Sequence, residues 1–246
     1  MGGTARVIRN QILRSLPTEE LEALLPRLER VSLRQGHVVV PADTPLTQAW
    51  FPESGLASVI ASTGDGRQQE VGLYGREGIG SVAVVLGAER TPHKTLLQVG
   101  GSWLRIEAAA LRDAAERLPG LRALLLRYVH CFVTSLASTA LSNGRSTIVE
   151  RLARWLLMAH DRLDGDELPL THTFLSLMLG VRRPGVTLAV HVLEGAGLIR
   201  ARRSLITILN RPALEVTAGT GYGIAEAEYE RLIGPFSTKR GALHVA

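Results

Sequence analysis

The chain has one cysteine, Cys131, in 246 residues. That excludes an internal disulfide and a cysteine-only cluster for iron–sulfur or zinc. The residues around Cys131 are apolar, which reads as a small buried hydrophobe rather than a redox sensor. Lysine is nearly missing, present only as Lys94 and Lys239. Almost every cation is therefore a guanidinium, a planar fork that matches phosphate and guanine. No run of about 18 uninterrupted apolar residues occurs, and the first residues lack a signal peptide's apolar stretch. The expectation is a cytoplasmic protein without a membrane partner. There is no Gly-x-Ser-x-Gly elbow, no Walker loop, and no His-x-x-x-His or Cys-x-x-Cys pair. The seven histidines are dispersed. No catalytic or metal site is indicated, and the chain does not read as an enzyme. Gly75, Gly78 and Gly80 have a phosphate-loop look, but among short strands they read as turn glycines.

What is present is globular. Apolar residues make up 46% and charged residues 21%, too much core-forming material for a disordered chain. The length allows one large domain or two ordinary ones. Net charge is +5, which permits nucleic acid without requiring it. Its distribution says more: from Gly144 to Arg211 there are ten arginines against six acidic residues.

Taken in order, residues 1–5 read as loose. Asn10 to Leu28 reads as two short helices split near Leu16–Pro17. Thr18 is expected to cap the second, whose buried stripe is Leu21, Leu24, Leu25 and Leu28. From Val31 to Ile106 the period changes to short apolar runs broken by Gly, Pro and Asp. The run Ile79-Gly-Ser-Val-Ala-Val-Val-Leu-Gly87 is counted among these strands. Such spacing argues a small all-β barrel or sandwich, with Thr63-Gly64-Asp65-Gly66 as its clearest hairpin turn.

A short helix from Glu107 to Leu118 follows, and Pro119 opens a long one to about Asn143. The long helix carries two apolar seams. One holds Leu121, Leu125, Tyr128, Phe132, Ser135 and Thr139; the other holds Leu126, Val129, Val133, Leu136 and Ala140. Two apolar sides need two covers. One is the chain's own barrel. The other is the same helix of a second subunit, or a second domain of a monomer. Asn143 to Ser146 reads as a linker, Ser146 as the start of a helix over Ile148–Asp161, and Leu168-Pro169-Leu170 as a short strand. After Leu209 come a helix near Arg211–Val216, a flexible Gly219-Thr220-Gly221 segment, a last helix at Ala225–Ile233 and a disordered tail from Pro235.

Thr171 to Arg203 is the most informative stretch. Thr171 can cap a short helix with an apolar stripe of Phe174, Leu175, Met178 and Leu179. Gly180 supplies a tight turn. A second helix runs from about Arg183 to Glu194, with Pro184 in its first turn. Val186, Ala189, Val190 and Leu193 form its buried face. Arg183, Thr187 and His191 share the opposite side. Leu198 to Leu209 then alternates like a hairpin with Arg202 and Arg203 near its tip. Helix, glycine turn, helix and basic hairpin is the layout of a winged helix-turn-helix, whose second helix enters the major groove while the hairpin meets phosphate. An αα-hairpin followed by a β-hairpin shares the outline but leaves the two cationic clusters unexplained.

The whole order, from barrel to winged helix-turn-helix, resembles the Crp–Fnr family of bacterial transcription regulators. The specific stretches are Glu150–Leu163 and Phe174–Arg203. The resemblance implies an α+β fold with three parts: a β-roll or jelly-roll effector domain over residues 1–118, a dimerisation helix over 119–143, and a winged helix-turn-helix domain with C-terminal helix and tail over 144–246. It implies a homodimer on a near-palindromic DNA operator, with RNA polymerase as a further partner. It assigns DNA contacts to Thr171, Arg182, Arg183, Thr187, Leu188, His191, Arg202 and Arg203. Pro184 and Leu188 depart from the charged residues of the cyclic-AMP-responsive members, so the operator should differ from theirs. The effector pocket implied is Gly80, Ser81, Val82, Arg90 and Thr91. Cyclic-nucleotide-binding members carry Gly-Glu-Leu there, followed by Arg-Ser; this chain has Gly80-Ser81-Val82-Ala83 and no Glu. A cyclic nucleotide is therefore disfavoured, no cofactor is called for, and the effector is an unidentified small ligand or none. The oxygen-sensing members need cysteines that this chain lacks. The competing reading is a small-molecule-binding barrel whose helical tail mediates protein contacts.

Overall fold

The computed structural model describes residues 8–237. Two short helices, α1 (Gln11–Arg14) and α2 (Thr18–Leu24), lead into the strands β1 (Glu29–Leu33), β2 (Val38–Val40), β3 (Gln48–Pro52), β4 (Leu56–Ser62) and β5 (Gln68–Tyr74). A one-turn helix, α3 (Val82–Val85), precedes β6 (Lys94–Val99) and β7 (Gly101–Glu107). All pairings are antiparallel, in two sheets of order β1-β7-β3 and β2-β6-β4-β5. This is the expected roll. Its β4–β5 hairpin closes over Thr63–Gly66, where the Thr63 amide donates to the Arg67 carbonyl at 2.9 Å.

Several local expectations shift. Pro17, not Thr18, is the N-cap of α2. Leu25 is exposed, because the chain tightens there into a 3₁₀ turn that rotates it off the buried stripe. The Ile79–Gly87 run supplies α3 instead of a strand.

Helix α4 (Ala108–Arg117) and the long α5 (Pro119–Arg145) follow. By length and composition alone α5 could cross a membrane. One of its sides, with Leu121, Leu125, Tyr128 and Phe132, is instead buried in the roll's core beside Phe51, Tyr74 and Trp103. The other side stays in solvent, with Leu126, Val133 and Leu141 all exposed. Val129 is buried, so it leaves the outer seam to which its spacing assigned it. The helix also runs through Asn143-Gly144-Arg145, which shortens the linker to Ser146 and Thr147.

Thr147 caps α6 (Ile148–Arg162), accepting from the Glu150 amide while the Glu150 carboxylate accepts from the Thr147 amide. This reciprocal capping box satisfies two backbone donors and displaces the expected start at Ser146 by one residue. Beyond it come β8 (Glu167–Leu168), α7 (His172–Leu179), α8 (Arg183–Gly195), β9 (Ile199–Arg202), β10 (Leu205–Ile208), α9 (Arg211–Ala218) and α10 (Ile224–Leu232). The sheet of order β8-β10-β9 flanks α6, α7 and α8. The Gly219–Gly221 segment forms a 3₁₀ turn.

The last helix does not join the unit that precedes it in sequence. Helix α10 packs along α5, and Tyr229 and Phe236 are buried in the first core. Phe236 contradicts a disordered tail beginning at Pro235: its ring is an edge-on partner of Tyr229, with centroids 5.1 Å apart. Residues 238–246 of that tail and the loose residues 1–5 lie outside the described residues. The second core in turn takes in Leu56, Ile60 and Leu73 from the roll. The two units thus share a packed seam.

Candidate nucleic-acid interface and effector cavity

The interface is built on α7, α8 and the β9–β10 hairpin. The Thr171 hydroxyl accepts from the Phe174 amide at 3.2 Å, which fixes the start of α7. Leu175, Met178 and Leu179 bury the inner face of α7. Gly180 ends it with φ +62°, and a Cβ there would lie 2.8 Å from the Gln69 side chain of the roll. The positive φ favours glycine, and any side chain there would have to displace the end of Gln69. The Arg151 guanidinium donates to the Leu179 carbonyl and pins the same turn to α6.

Helix α8 opens at Arg183, with Arg182 as its N-cap and Pro184 in the first turn. No side chain caps it. Val186, Ala189, Val190 and Leu193 are buried as their spacing requires. Arg182, Arg183, Leu188 and His191 are exposed, and Thr187 is half-buried. Leu188 is 67% exposed, and Val192 beside it is exposed too. An apolar side chain held in water on a helix whose inner face is complete has no packing role in this chain.

Two residues that sequence reasoning passed over belong to this surface. Thr173 accepts a hydrogen bond from Arg183, and the His172 ring nitrogen lies 3.3 Å from the Thr187 hydroxyl. Both are exposed at the start of α7. A helix-turn-helix places the first turn of one helix beside the first turn of the next, and that signal was available.

The hairpin carries Arg200 and Arg202 on one exposed face of β9, with Ile199 and Ala201 turned inward. Arg203 is exposed at the tip, next to Ser204 at φ +59°. Arg200 was also missed, although strict alternation puts it on the face of Arg202. The Glu194 carboxylate accepts from the Ala201 amide at 2.9 Å and so ties the hairpin to α8. Among the described residues, none of Arg182, Arg183, Arg200, Arg202 and Arg203 forms an ion pair. Five guanidiniums without ion pairs, an uncapped helix start and exposed Leu188 and Val192 on α8 and the adjoining hairpin fit a polyanion with apolar base edges.

The pocket residues separate. A cavity of about 110 Å³ inside the roll is lined by Ser81, Val82 and Thr91, together with Tyr74, Thr95 and Phe132. Gly80 pairs its amide with the Trp50 carbonyl at 2.7 Å, and a Cβ on it would collide with the Tyr74 hydroxyl. Arg90 is exposed, and neither it nor Gly80 lines this cavity.

Buried charge lies in the seam between the two units and within the second unit beside it. Arg162 pairs with Glu77 at 2.8 Å, both about 5% exposed or less, and lies 4.9 Å over the Phe236 ring. Arg211 pairs with Asp161 at 2.8 Å, and the Tyr222 hydroxyl donates to Asp161 at 2.6 Å. Glu70 of β5 accepts from the Trp155 indole of α6 at 2.7 Å and from Ser58. Burial raises the Glu70 carboxyl to about 7, against the opposing pull of those two hydrogen bonds and of Arg154 and Arg162.

Residues 150–217 match the Crp-like helix-turn-helix domain. The fold as a whole matches solved regulators of low identity. A CRP-family transcriptional regulator of Thermus thermophilus superposes with TM-score 0.64 at 17% identity, over 78% of this chain and 97% of that one. A putative Crp/Fnr-family regulator of Eubacterium rectale gives 0.60 at 16%, over 84% and 97%. A putative cAMP-binding regulatory protein of Silicibacter pomeroyi gives 0.61 at 21%, over 87% and 97%. Among curated proteins there is no match.

Proposed function

We propose that this chain, a Crp–Fnr regulator by its helix-turn-helix domain and its fold, is a sequence-specific DNA-binding transcription regulator that acts as a homodimer. One observation carries the reading: the exposed start of α8 (Arg182, Arg183) and the exposed β9–β10 hairpin (Arg200, Arg202, Arg203) hold five arginines that form no ion pair among the described residues. In this reading α8 enters the major groove. Arg183 grips a guanine in the two-pronged manner of a guanidinium, and Leu188 meets base edges through apolar contact. Thr171, Arg182, Thr187, His191, Arg202 and Arg203 serve phosphate or flanking positions, joined by His172, Thr173 and Arg200.

The dimer follows from α5. Leu126, Val133 and Leu141 are seven and eight residues apart and all exposed, an apolar stripe that a second copy of α5 covers as a coiled coil. We divide the chain into an effector roll, the helix α5 and a DNA-binding unit, and assign α10 to the roll because it packs on α5. RNA polymerase is the further partner of such a regulator, and the cytoplasm its place. A dimeric wild type should bind a duplex with strong salt dependence. Val133→Glu should shift the protein to monomer in sedimentation and weaken duplex binding. An unchanged sedimentation coefficient would remove the α5 dimer from the account.

A further inference from the structure

The roll's interior defines what kind of molecule it accepts. Val59, Ile79, Val82 and Phe132 supply an apolar wall to the cavity of about 110 Å³. Tyr74, Ser81, Thr91 and Thr95 add hydroxyls, and His93 stands at the exposed edge. No Asp, Glu, Lys or Arg lines it. An anion placed there would leave water without gaining a compensating charge. The volume is a little below the roughly 150 Å³ of an engineered apolar cavity that admits benzene, and well below the roughly 300 Å³ at which drug-sized pockets begin.

The polar features are specific. Tyr74 is 2% exposed, and its hydroxyl has no hydrogen-bond partner of good geometry. Burial raises its phenol well above the ordinary value, against a weaker opposing pull from the neighbouring Thr95 hydroxyl, so it stays a neutral donor. A buried hydroxyl without a well-placed partner is costly, and a ligand atom that accepts from it removes the cost. Phe132, which also lines the cavity, belongs to α5 and stacks on Tyr128 with centroids 6.2 Å apart. An occupant of the cavity therefore touches the helix assigned to the dimer.

We propose that this cavity binds a small uncharged molecule, largely apolar and about one ring in size, through a single hydrogen bond to the Tyr74 hydroxyl, and does not bind a cyclic nucleotide. This rests on the reading of the roll as the effector domain.

The test is calorimetric titration of the full-length protein with phenol, toluene and cyclic AMP. Phenol should bind saturably at one site per chain, and cyclic AMP should give no saturable heat. Tyr74→Phe should weaken phenol at least fivefold and leave toluene unchanged. Val59→Trp, which fills the cavity, should abolish both. Saturable cyclic AMP binding overturns the proposal, as does a lack of phenol binding or phenol binding that survives Val59→Trp. DNA selection by the same preparation without ligand is scored separately. Selective DNA binding without phenol binding sinks this inference alone, and phenol binding without DNA selectivity sinks the regulator reading alone.

Discussion

Arginine does opposite work in two regions of this molecule. Inside the molecule, Arg162 is buried against Glu77 across the seam between the units, and Arg211 pairs with buried Asp161 within the second unit, each at 2.8 Å. On α8 and the hairpin, five arginines face solvent with no acidic partner among the described residues. A buried guanidinium needs its carboxylate, because taking either charge from water alone is prohibitive. An exposed one costs nothing to leave unpaired and stays available to phosphate. The difference separates residues that hold the chain together from residues that read a partner, and it makes their mutants distinguishable.

The largest effect should come from the seam. Arg162→Met leaves Glu77 buried and unpaired, and should cost about 3–5 kcal/mol in urea unfolding. The double variant Arg162→Met/Glu77→Gln should recover much of that loss. A single variant as stable as wild type would show that the pair is not needed.

Glu70 comes next. Its carboxyl titrates at about 7 in the folded protein rather than at 4.5, so the folded state holds the extra proton between those values. Stability should fall as pH rises from about 4.5 to 7 and level off above, a difference of roughly 3 kcal/mol. Glu70→Gln keeps an acceptor for Trp155 and a donor toward Ser58 without the ionisation. It should be more stable than wild type at pH 8, with the gap closing toward pH 5. A gap of constant size across that range would mean that Glu70 does not titrate there.

On the reading surface the expected effects move from unfolding to binding. Arg183→Ala should cost about 1–3 kcal/mol of specific duplex binding and relax selection at one base pair, with its urea midpoint unchanged. Arg203→Ala should act most weakly, lowering affinity about evenly across sequences and reducing the salt slope by about 1. If Arg203→Ala changed the preferred sequence instead, the hairpin would be reading bases.

Much of this was legible in the chain. The capped α7, the Gly180 turn and the inner face of α8 follow from spacing, since each depends on neighbours within a few residues. Of the outer seam of α5, Leu126 and Val133 are exposed as read, whereas Val129 is buried, Leu136 packs on the roll's core, and Leu141 extends the exposed stripe unread. What escaped depends on distant partners. Nothing near Glu77 or Glu70 in sequence announces Arg162 or Trp155, each 85 residues away. Phe236 looked like tail because its partners, Tyr229 and Arg162, come from two other helices.

The central claim is that α8 of a dimer reads a symmetric DNA sequence. Its most direct test is selection from random duplexes by the purified full-length protein, at a fixed salt concentration and with no added ligand. The account predicts a twofold-symmetric motif with half-sites about 10 base pairs apart, in which Arg183→Ala loses preference at one symmetric position. A retained pool with no motif, from a protein shown to be dimeric, would contradict it.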